Sequence, residues 1–171
     1  MITVVYGGAG SGKSEYAEGL AISNGSKDLY YIATMIPLDS ENEKKIQRHR
    51  RLRAHKNFET IECYTDVEKV QLTKESTVLL ECVSNWVANE IFSENGSGEA
   101  AVETVKNAAK KLMEESENII FVTNNIFGDG NSYDEGTISY MEKLSEVNEY
   151  LVGESNQAIE VVCGLPFYIK K

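Results

Sequence analysis

Hydrophobic residues along the chain fall into short runs that alternate with longer stretches of helical periodicity. Apolar runs predict β-strands at residues 2–6, 29–34, 77–81, 118–123, 159–163 and 167–171. A further alternating stretch at residues 58–63 is compatible with a short strand. The segments between them predict helices at residues 15–22, 41–54, 83–92, 99–117 and 133–151. Strands alternating with helices predict an α/β fold, with a mostly parallel sheet flanked by helices.

Length and charge restrict the classes of protein that this chain can belong to. Its 171 residues, of which 42% are hydrophobic, predict one domain spanning residues 1–171. The net charge of −10 argues against general binding of nucleic acid, which requires a basic face. No apolar run approaches membrane-spanning length, and no leader pattern precedes the first strand. We therefore expect a cytoplasmic protein with neither a nucleic acid nor a membrane as its partner.

A glycine-rich loop lies between the first predicted strand and the first predicted helix. Its residues are Gly7, Gly8, Ala9, Gly10, Ser11, Gly12, Lys13 and Ser14. This spacing is typical of a loop whose backbone N–H groups surround phosphate oxygens. Lys13 is then expected to reach the outer phosphates, and the Ser14 hydroxyl to bind Mg²⁺. The alternative is a chance match in a glycine-rich turn, but the spacing, the flanking elements and the chain position all favour a nucleoside triphosphate site.

All four arginines and both histidines of the chain lie between residues 48 and 55. In a helix, Lys45, His49 and Arg53 share one face because they are four residues apart. The two cations favour a neutral imidazole at His49, which can attack phosphorus while Lys45 and Arg53 hold phosphate oxygens. The alternative is a solvated basic helix face that makes surface ion pairs.

Two strand ends carry polar residues suited to a nucleotide site. The buried strand at 77–81 ends in Glu81, and an acid at this place commonly completes the Mg²⁺ shell of a phosphate-loop protein. The alternative is an acid that faces solvent at the edge of the sheet. After the strand at 118–123 come Asn124, Asn125 and a glycine-containing segment at 128–130, where ligands bind in such sheets.

Taken together, these motifs resemble the bifunctional adenosylcobinamide kinase/adenosylcobinamide-phosphate guanylyltransferase family of cobalamin biosynthesis. The resemblance extends over nearly the whole chain. Its most specific part is the combination of the loop at 7–14 with a histidine segment that includes Arg48, His49, Arg50, Arg53 and His55. The matching stretches are Tyr31-Ile32-Ala33-Thr34, Leu80-Glu81-Cys82, Val122-Thr123-Asn124 and Gly164-Leu165-Pro166.

The resemblance implies a phosphate-loop (RecA-like) domain that uses nucleotide in two steps. As a kinase, the family phosphorylates the aminopropanol hydroxyl of adenosylcobinamide. As a guanylyltransferase, it moves GMP from GTP to a histidine, which His49 matches, and then to adenosylcobinamide phosphate. Mg²⁺ is the implied cofactor, GTP and ATP are the implied substrates, and a homotrimer is the implied assembly. His55 matches a second family histidine, for which a positioning role is implied.

The chain departs from the family pattern in two places. Asn125 stands where the family usually has an acid, and no arginine occurs outside the histidine segment. Two other hypotheses therefore remain open. One is a small-molecule kinase or NTPase that retains only phosphate-loop chemistry, and the other is a non-catalytic nucleotide-binding regulatory protein.

Overall fold

The computed structural model describes residues 1–126 and 133–171 and contains one seven-stranded sheet. The strands are β1 (Ile2–Gly7), β2 (Asp28–Ala33), β3 (Glu59–Glu62), β4 (Ser76–Glu81), β5 (Asn118–Asn124), β6 (Gln157–Val162) and β7 (Leu165–Lys170). Their order across the sheet is β3-β2-β4-β5-β1-β6-β7, and all neighbours are parallel except β6 and β7. The predicted mostly parallel sheet is confirmed, with 58–63 supplying one edge strand and 167–171 the other.

The described residues contain five α-helices, four of which pack on the two faces of this sheet. They are α1 (Lys13–Ser23), α2 (Ser40–Arg53), α3 (Val83–Phe92), α4 (Ala101–Glu115) and α5 (Glu135–Glu154). On one face, α3, α4 and α5 enclose the larger core, which contains Trp86, Leu112 and Phe121. On the other face, α1 buries Ala17 and Ala21 against a smaller apolar cluster. Within the described ranges, no helix is both long enough and apolar enough to cross a bilayer.

Helix ends differ from the predicted ones where the backbone imposes a turn. The first helix begins at Lys13 rather than at residue 15, directly after Gly12, whose φ of 89° is left-handed. The fourth begins at Ala101, because a short 3-10 turn at Gly98–Ala100 precedes it. The fifth begins at Glu135, where the Asp134 side chain accepts a hydrogen bond from the Thr137 N–H.

The sheet order brings the predicted site residues to one edge. Strand β1 lies inside the sheet, as predicted, and β5 lies between β1 and β4. The carboxyl ends of these parallel strands meet at the same edge, so Gly7 at the end of β1 and Glu81 at the end of β4 are separated by one strand only. Thr34, which follows β2, fixes the β4 end by hydrogen bonds of 2.8 Å from its hydroxyl to the Cys82 carbonyl and from the Cys82 N–H to that hydroxyl. The end of β4, which carries Glu81, is therefore held in place by strand pairing and by these two hydrogen bonds.

Candidate active site at the phosphate loop

The glycine loop connects β1 to α1 in a conformation that favours glycine at two points. Gly10 and Gly12 have φ values of 71° and 89°, in the left-handed region. A Cβ at Gly7 would lie 2.6 Å from the Ser11 hydroxyl oxygen and 2.7 Å from the Val161 carbonyl oxygen, so no side chain fits there. The Gly164 N–H donates to the Ser11 carbonyl at 2.8 Å and attaches the loop to the β6–β7 turn. The eight residues predicted for the loop, 7–14, therefore run from the last residue of β1 to the first turn of α1.

Lys13 is the first residue of α1, and its side chain is folded over the loop. The Nζ atom donates to the Gly8 carbonyl at 3.1 Å, and the residue is only 8% exposed. Burial lowers the pKa of Lys13, while the nearby Cys82 and Glu81 act in the opposite direction. The ammonium group thus lies inside the loop that is expected to hold phosphate.

Glu81 is the central acceptor of the site. The Ser14 hydroxyl donates to its Oε1 atom, and the Tyr31 hydroxyl donates to its Oε2 atom at 2.7 Å. Burial is the main cause that raises the pKa of Tyr31 well above the ordinary tyrosine value, and the charge of Glu81 adds to it. Tyr31 is therefore a protonated donor at neutral pH, and Glu81 faces the phosphate loop rather than solvent.

The amino-acid sequence did not lead us to Tyr31 as a site residue. We read residues 29–34 as an apolar strand, in which an aromatic ring is most simply a core residue. The pairing of β2 with β4 is the information that the sequence lacks. Ala33 lies opposite Glu81 and Tyr31 opposite Leu79, so the side chains of Tyr31 and Glu81 point to the same face of the sheet.

Helix α2 brings its histidine to this acid. The Nδ1 atom of His49 lies 3.9 Å from Oε1 of Glu81, and the imidazole is half-buried. One turn further along, the Arg53 guanidinium stacks over the Tyr31 ring, with Cζ 3.4 Å from the ring centroid. Arg53 is 7% exposed, and its Nε and Nη1 atoms have no hydrogen-bond partner.

The structure places the other predicted residues of the histidine segment differently. Lys45 is an exposed residue whose Nζ pairs with the Glu41 carboxylate at 2.7 Å, because this acid lies one turn earlier on the helix. Lys45 thus pairs away from His49, whose Nδ1 atom lies 3.9 Å from the Glu81 carboxylate. His55 is exposed beyond the end of α2.

Asn124, the last residue of β5, and Asn125, the residue after it, lie beside the start of the loop. The Asn125 N–H donates to the Gly7 carbonyl at 3.0 Å, and the Asn124 side chain donates to the Ser84 hydroxyl at 2.6 Å. The glycine-containing segment at 128–130, which we expected to contribute to a ligand site, lies outside the described residues.

The donor set of the site is compatible with a hard cation bound together with phosphate. A hydrogen bond joins the Ser14 hydroxyl and the Glu81 carboxylate, so two oxygen ligands of the kind that Mg²⁺ prefers lie side by side. Among the described residues, no group of three or more acidic, cysteine or histidine side chains could bind a metal by itself. This agrees with Mg²⁺ sites in which one or two protein ligands are completed by phosphates and water.

Comparison with known proteins identifies the family to which the sequence is similar. The sequence matches the family described as cobinamide kinase / cobinamide phosphate guanyltransferase over residues 3–169. It is 30% identical to the bifunctional adenosylcobalamin biosynthesis protein CobU of Escherichia coli (strain K12), in an alignment that covers 99% of this chain and 100% of that protein. It is 36% identical to the protein of the same description from Salmonella typhimurium (strain LT2) over 58% of this chain and 55% of that one.

One solved structure supports the fold alone. The flagellar accessory protein FlaH from Methanocaldococcus jannaschii superimposes with a TM-score of 0.50 at 14% identity, covering 99% of this chain and 77% of that one. This likeness agrees with the predicted phosphate-loop (RecA-like) sheet. By the match over nearly its whole length and by its relatives, which are bifunctional enzymes of adenosylcobalamin biosynthesis, this chain belongs to the cobinamide kinase / cobinamide phosphate guanyltransferase family.

Proposed function

We propose that this protein phosphorylates adenosylcobinamide and then transfers GMP from GTP to adenosylcobinamide phosphate through an adduct on His49. The observation that carries the proposal is the position of α2 beside Glu81, the acid to which the phosphate loop is hydrogen-bonded through Ser14. His49 lies 3.9 Å from the same Glu81 oxygen that accepts the Ser14 hydrogen bond. A nucleophile and a triphosphate site therefore share one acidic residue.

For the kinase step, the loop supplies the binding of the nucleotide. Backbone N–H groups at the start of α1 and the buried ammonium of Lys13 neutralise the charge on the transferred phosphoryl group. The substrate hydroxyl attacks the γ-phosphorus, the bond to the bridging oxygen breaks, the nucleoside diphosphate leaves, and the proton of the hydroxyl is released to solvent. Ser14 and Glu81 would hold Mg²⁺, which when bound neutralises charge on the phosphate oxygens.

For the guanylyl step, His49 acts as the nucleophile. In the tautomer with its proton on Nδ1, which faces Glu81, the Nε2 atom holds a lone pair. Nε2 attacks the α-phosphorus of GTP, an N–P bond forms, and pyrophosphate leaves with the electrons of the broken P–O bond. A phosphate oxygen of adenosylcobinamide phosphate then displaces His49 from that phosphorus, which restores the imidazole.

Arg53 has a role in this proposal as a phosphate ligand. Buried guanidinium N–H groups nearly always have acceptors, so two unpartnered nitrogen atoms in a residue that is 7% exposed require an explanation. Phosphate oxygens match the planar donors of arginine, and the stack on Tyr31 holds that plane in position. Lys45 is a weaker candidate because it is exposed and paired with Glu41.

Several expectations from the sequence stay predictions. They are the single domain, the cytoplasmic location and the homotrimer. Support for assembly comes from the edge strand β7, where Leu165, Phe167 and Ile169 are all more than half exposed. An exposed apolar edge strand is a natural surface for association between copies, and the mass in solution from light scattering tests it.

The test of the proposed function is mass spectrometry of the intact protein and its peptides after incubation with GTP and Mg²⁺. We expect an acid-labile GMP adduct on the peptide that contains His49, and no adduct in His49→Ala. Addition of cobinamide phosphate should then discharge the wild-type adduct into product. If protein that binds GTP forms no adduct and GTP turnover is unchanged in His49→Ala, the guanylyl half of the proposal is wrong and a kinase or NTPase that uses only the phosphate loop is favoured.

A further inference from the structure

A lysine ion pair with a buried acid lies outside the residues assigned to the reaction. The Lys56 ammonium donates to Oε2 of Glu18 at 2.6 Å, and the two side chains are 27% and 3% exposed. In every other lysine or arginine ion pair of the described residues, the acid is at least 40% exposed. Among these pairs, Glu18 is thus the acid that has lost almost all contact with water, and its burial needs an explanation.

Glu18 belongs to the helix that begins at the phosphate loop. It lies four residues after Ser14 on α1, so the two side chains share one face of this helix. The Ser14 hydroxyl donates to Glu81, which also accepts a hydrogen bond from the Tyr31 hydroxyl. Burial, the charge of Glu81 and, more weakly, the charge of Glu18 all raise the pKa of Tyr31. Glu18 thus lies beside the same site, one helical turn away from Ser14.

Lys56 belongs to the turn that ends the histidine helix. Its N–H donates to the Arg53 carbonyl at 2.8 Å, which fixes Lys56 relative to the last residue of α2. Arg53 stacks on Tyr31, and the Lys56 ammonium reaches Glu18. Two cations that are three residues apart therefore attach the C-terminal end of α2, one to β2 and the other to α1. Because His49 lies only about one helical turn before Arg53, this attachment determines where the imidazole lies.

The ionic character of this attachment makes it directional. A buried ion pair adds little net stability over apolar side chains of similar size, because both charges lose hydration. It does require one relative position of its partners, since the ammonium and the carboxylate must meet at hydrogen-bond distance. Apolar contacts are not directional and would let α2 shift along α1. The pair of Glu18 with Lys56 is therefore better suited to fixing the position of α2 than to stabilising the fold.

We propose that Glu18 and Lys56 are positioning residues for the transfer of GMP to His49. Their ion pair fixes the end of α2 on α1 and thereby sets the place of the imidazole relative to the α-phosphorus of a nucleotide in the loop. A displacement of about 1 Å between reacting groups can slow a reaction on the order of 100-fold. The kinase step uses the loop without His49, so it should not depend on this pair. This inference rests on the proposed function, because it assumes that His49 is the nucleophile.

The test measures two rates in the same variants: single-turnover formation of the GMP adduct on His49 at saturating GTP, and phosphorylation of adenosylcobinamide by ATP. Lys56→Met keeps the length of the side chain and removes its charge. We expect about tenfold to 100-fold slower adduct formation, with the Kd for GTP and the kinase rate within about twofold of wild type. Lys56→Arg keeps a cation within reach of Glu18 and should recover much of the adduct rate. The matched control is Lys69→Met, which removes an exposed pair with Asp66 and should leave both rates unchanged.

A double variant separates positioning from folding. Lys56→Met leaves a buried carboxylate unpaired and should lower the Tm, whereas Glu18→Met/Lys56→Met replaces both charges by apolar groups and should fold like wild type. The double variant should still form the adduct about tenfold or more slowly, because the directional contact is gone. A wild-type adduct rate in this variant overturns the proposal, since the pair would then serve folding alone. Equal losses of the adduct and kinase rates also overturn it, because they indicate damage to the loop. If wild type itself forms no adduct on His49, the proposed function fails, and this assignment fails with it.

Discussion

Helices α2 and α4 are of similar length, but α4 packs on the domain through apolar side chains and α2 through polar ones. Helix α4 buries one apolar stripe against the larger core, made of Ala101, Val102, Val105, Ala108, Ala109 and Leu112. Of the α2 residues whose burial is described, only Arg53 is fully buried. Polar contacts hold α2: the stack of Arg53 on Tyr31, the approach of His49 to Glu81, and the pair of Arg50 with Glu62.

This difference separates stability from chemistry. Apolar burial contributes most of the free energy of folding, so removing part of α4 should destabilise the whole domain. Polar contacts contribute less, but two of the three in α2, those of His49 and Arg53, lie at Glu81 and Tyr31 beside the phosphate site, and only the pair of Arg50 with Glu62 lies at the edge strand β3. Of these two helices, the one expected to contribute less to folding thus carries His49, the proposed nucleophile.

The largest effect expected is on stability, from truncating the α4 stripe. Leu112→Ala should reduce the free energy of unfolding by about 2–5 kcal/mol, because Leu112 is fully buried and its removal leaves a cavity. Urea denaturation measures this. The matched variant in α2, Ile46→Ala, should cost less than about 1.5 kcal/mol, because Ile46 is only partly buried. Equal costs at the two positions would contradict the distinction between the helices.

The next effect falls on activity rather than on folding. Arg53→Ala should slow guanylylation of His49 about 100-fold, since it removes a buried cation whose free N–H groups are assigned to phosphate. Arg53→Lys should recover only part of this rate, because lysine lacks the planar stack on Tyr31. The control is Arg51→Ala, an exposed cation on the same helix, which should leave the rate unchanged. Single-turnover kinetics distinguish these outcomes.

A smaller effect is expected from the tyrosine under Arg53. Tyr31→Phe keeps the ring and removes only the hydroxyl that donates to Glu81 at 2.7 Å. We expect a loss of about 1–3 kcal/mol in stability, typical of one hydrogen bond to a charged group, and a slower guanylylation step. A variant that folds and reacts like wild type would show that this hydrogen bond does not position Glu81.

The smallest effect concerns the outer attachment of α2. Arg50 pairs with Glu62, but the two side chains are 55% and 43% exposed. Arg50→Ala should therefore change the free energy of unfolding by less than about 1 kcal/mol, and added salt should reduce even that difference. Denaturation at low and high salt measures this difference. A larger loss of unfolding free energy would mean that the exposed pair of Arg50 with Glu62 is important for holding α2 on the domain.

The amino-acid sequence predicts those features of the fold and the site that depend on residues close together along the chain. Apolar periodicity located the strands, and the loop at 7–14 required only spacing that is legible along the chain. Glu81 could be identified from the sequence because it ends an apolar strand, and His49 because it lies within a cluster of cationic residues. Tyr31 was not, because its role depends on which strand lies beside β4. Lys45 was placed beside His49 by helical spacing, but helical spacing equally offers it Glu41, with which it pairs in the structure.

The central claim is that His49 reacts with the nucleotide that is bound in this phosphate loop. The rate of adduct formation on His49 in Lys13→Ala, measured by mass spectrometry at saturating GTP, tests it most directly. If one site does both, removing the buried Lys13 ammonium should slow the adduct on the order of 100-fold or more. An adduct that forms at the wild-type rate in Lys13→Ala would contradict the claim, because the GTP that modifies His49 would then be bound elsewhere.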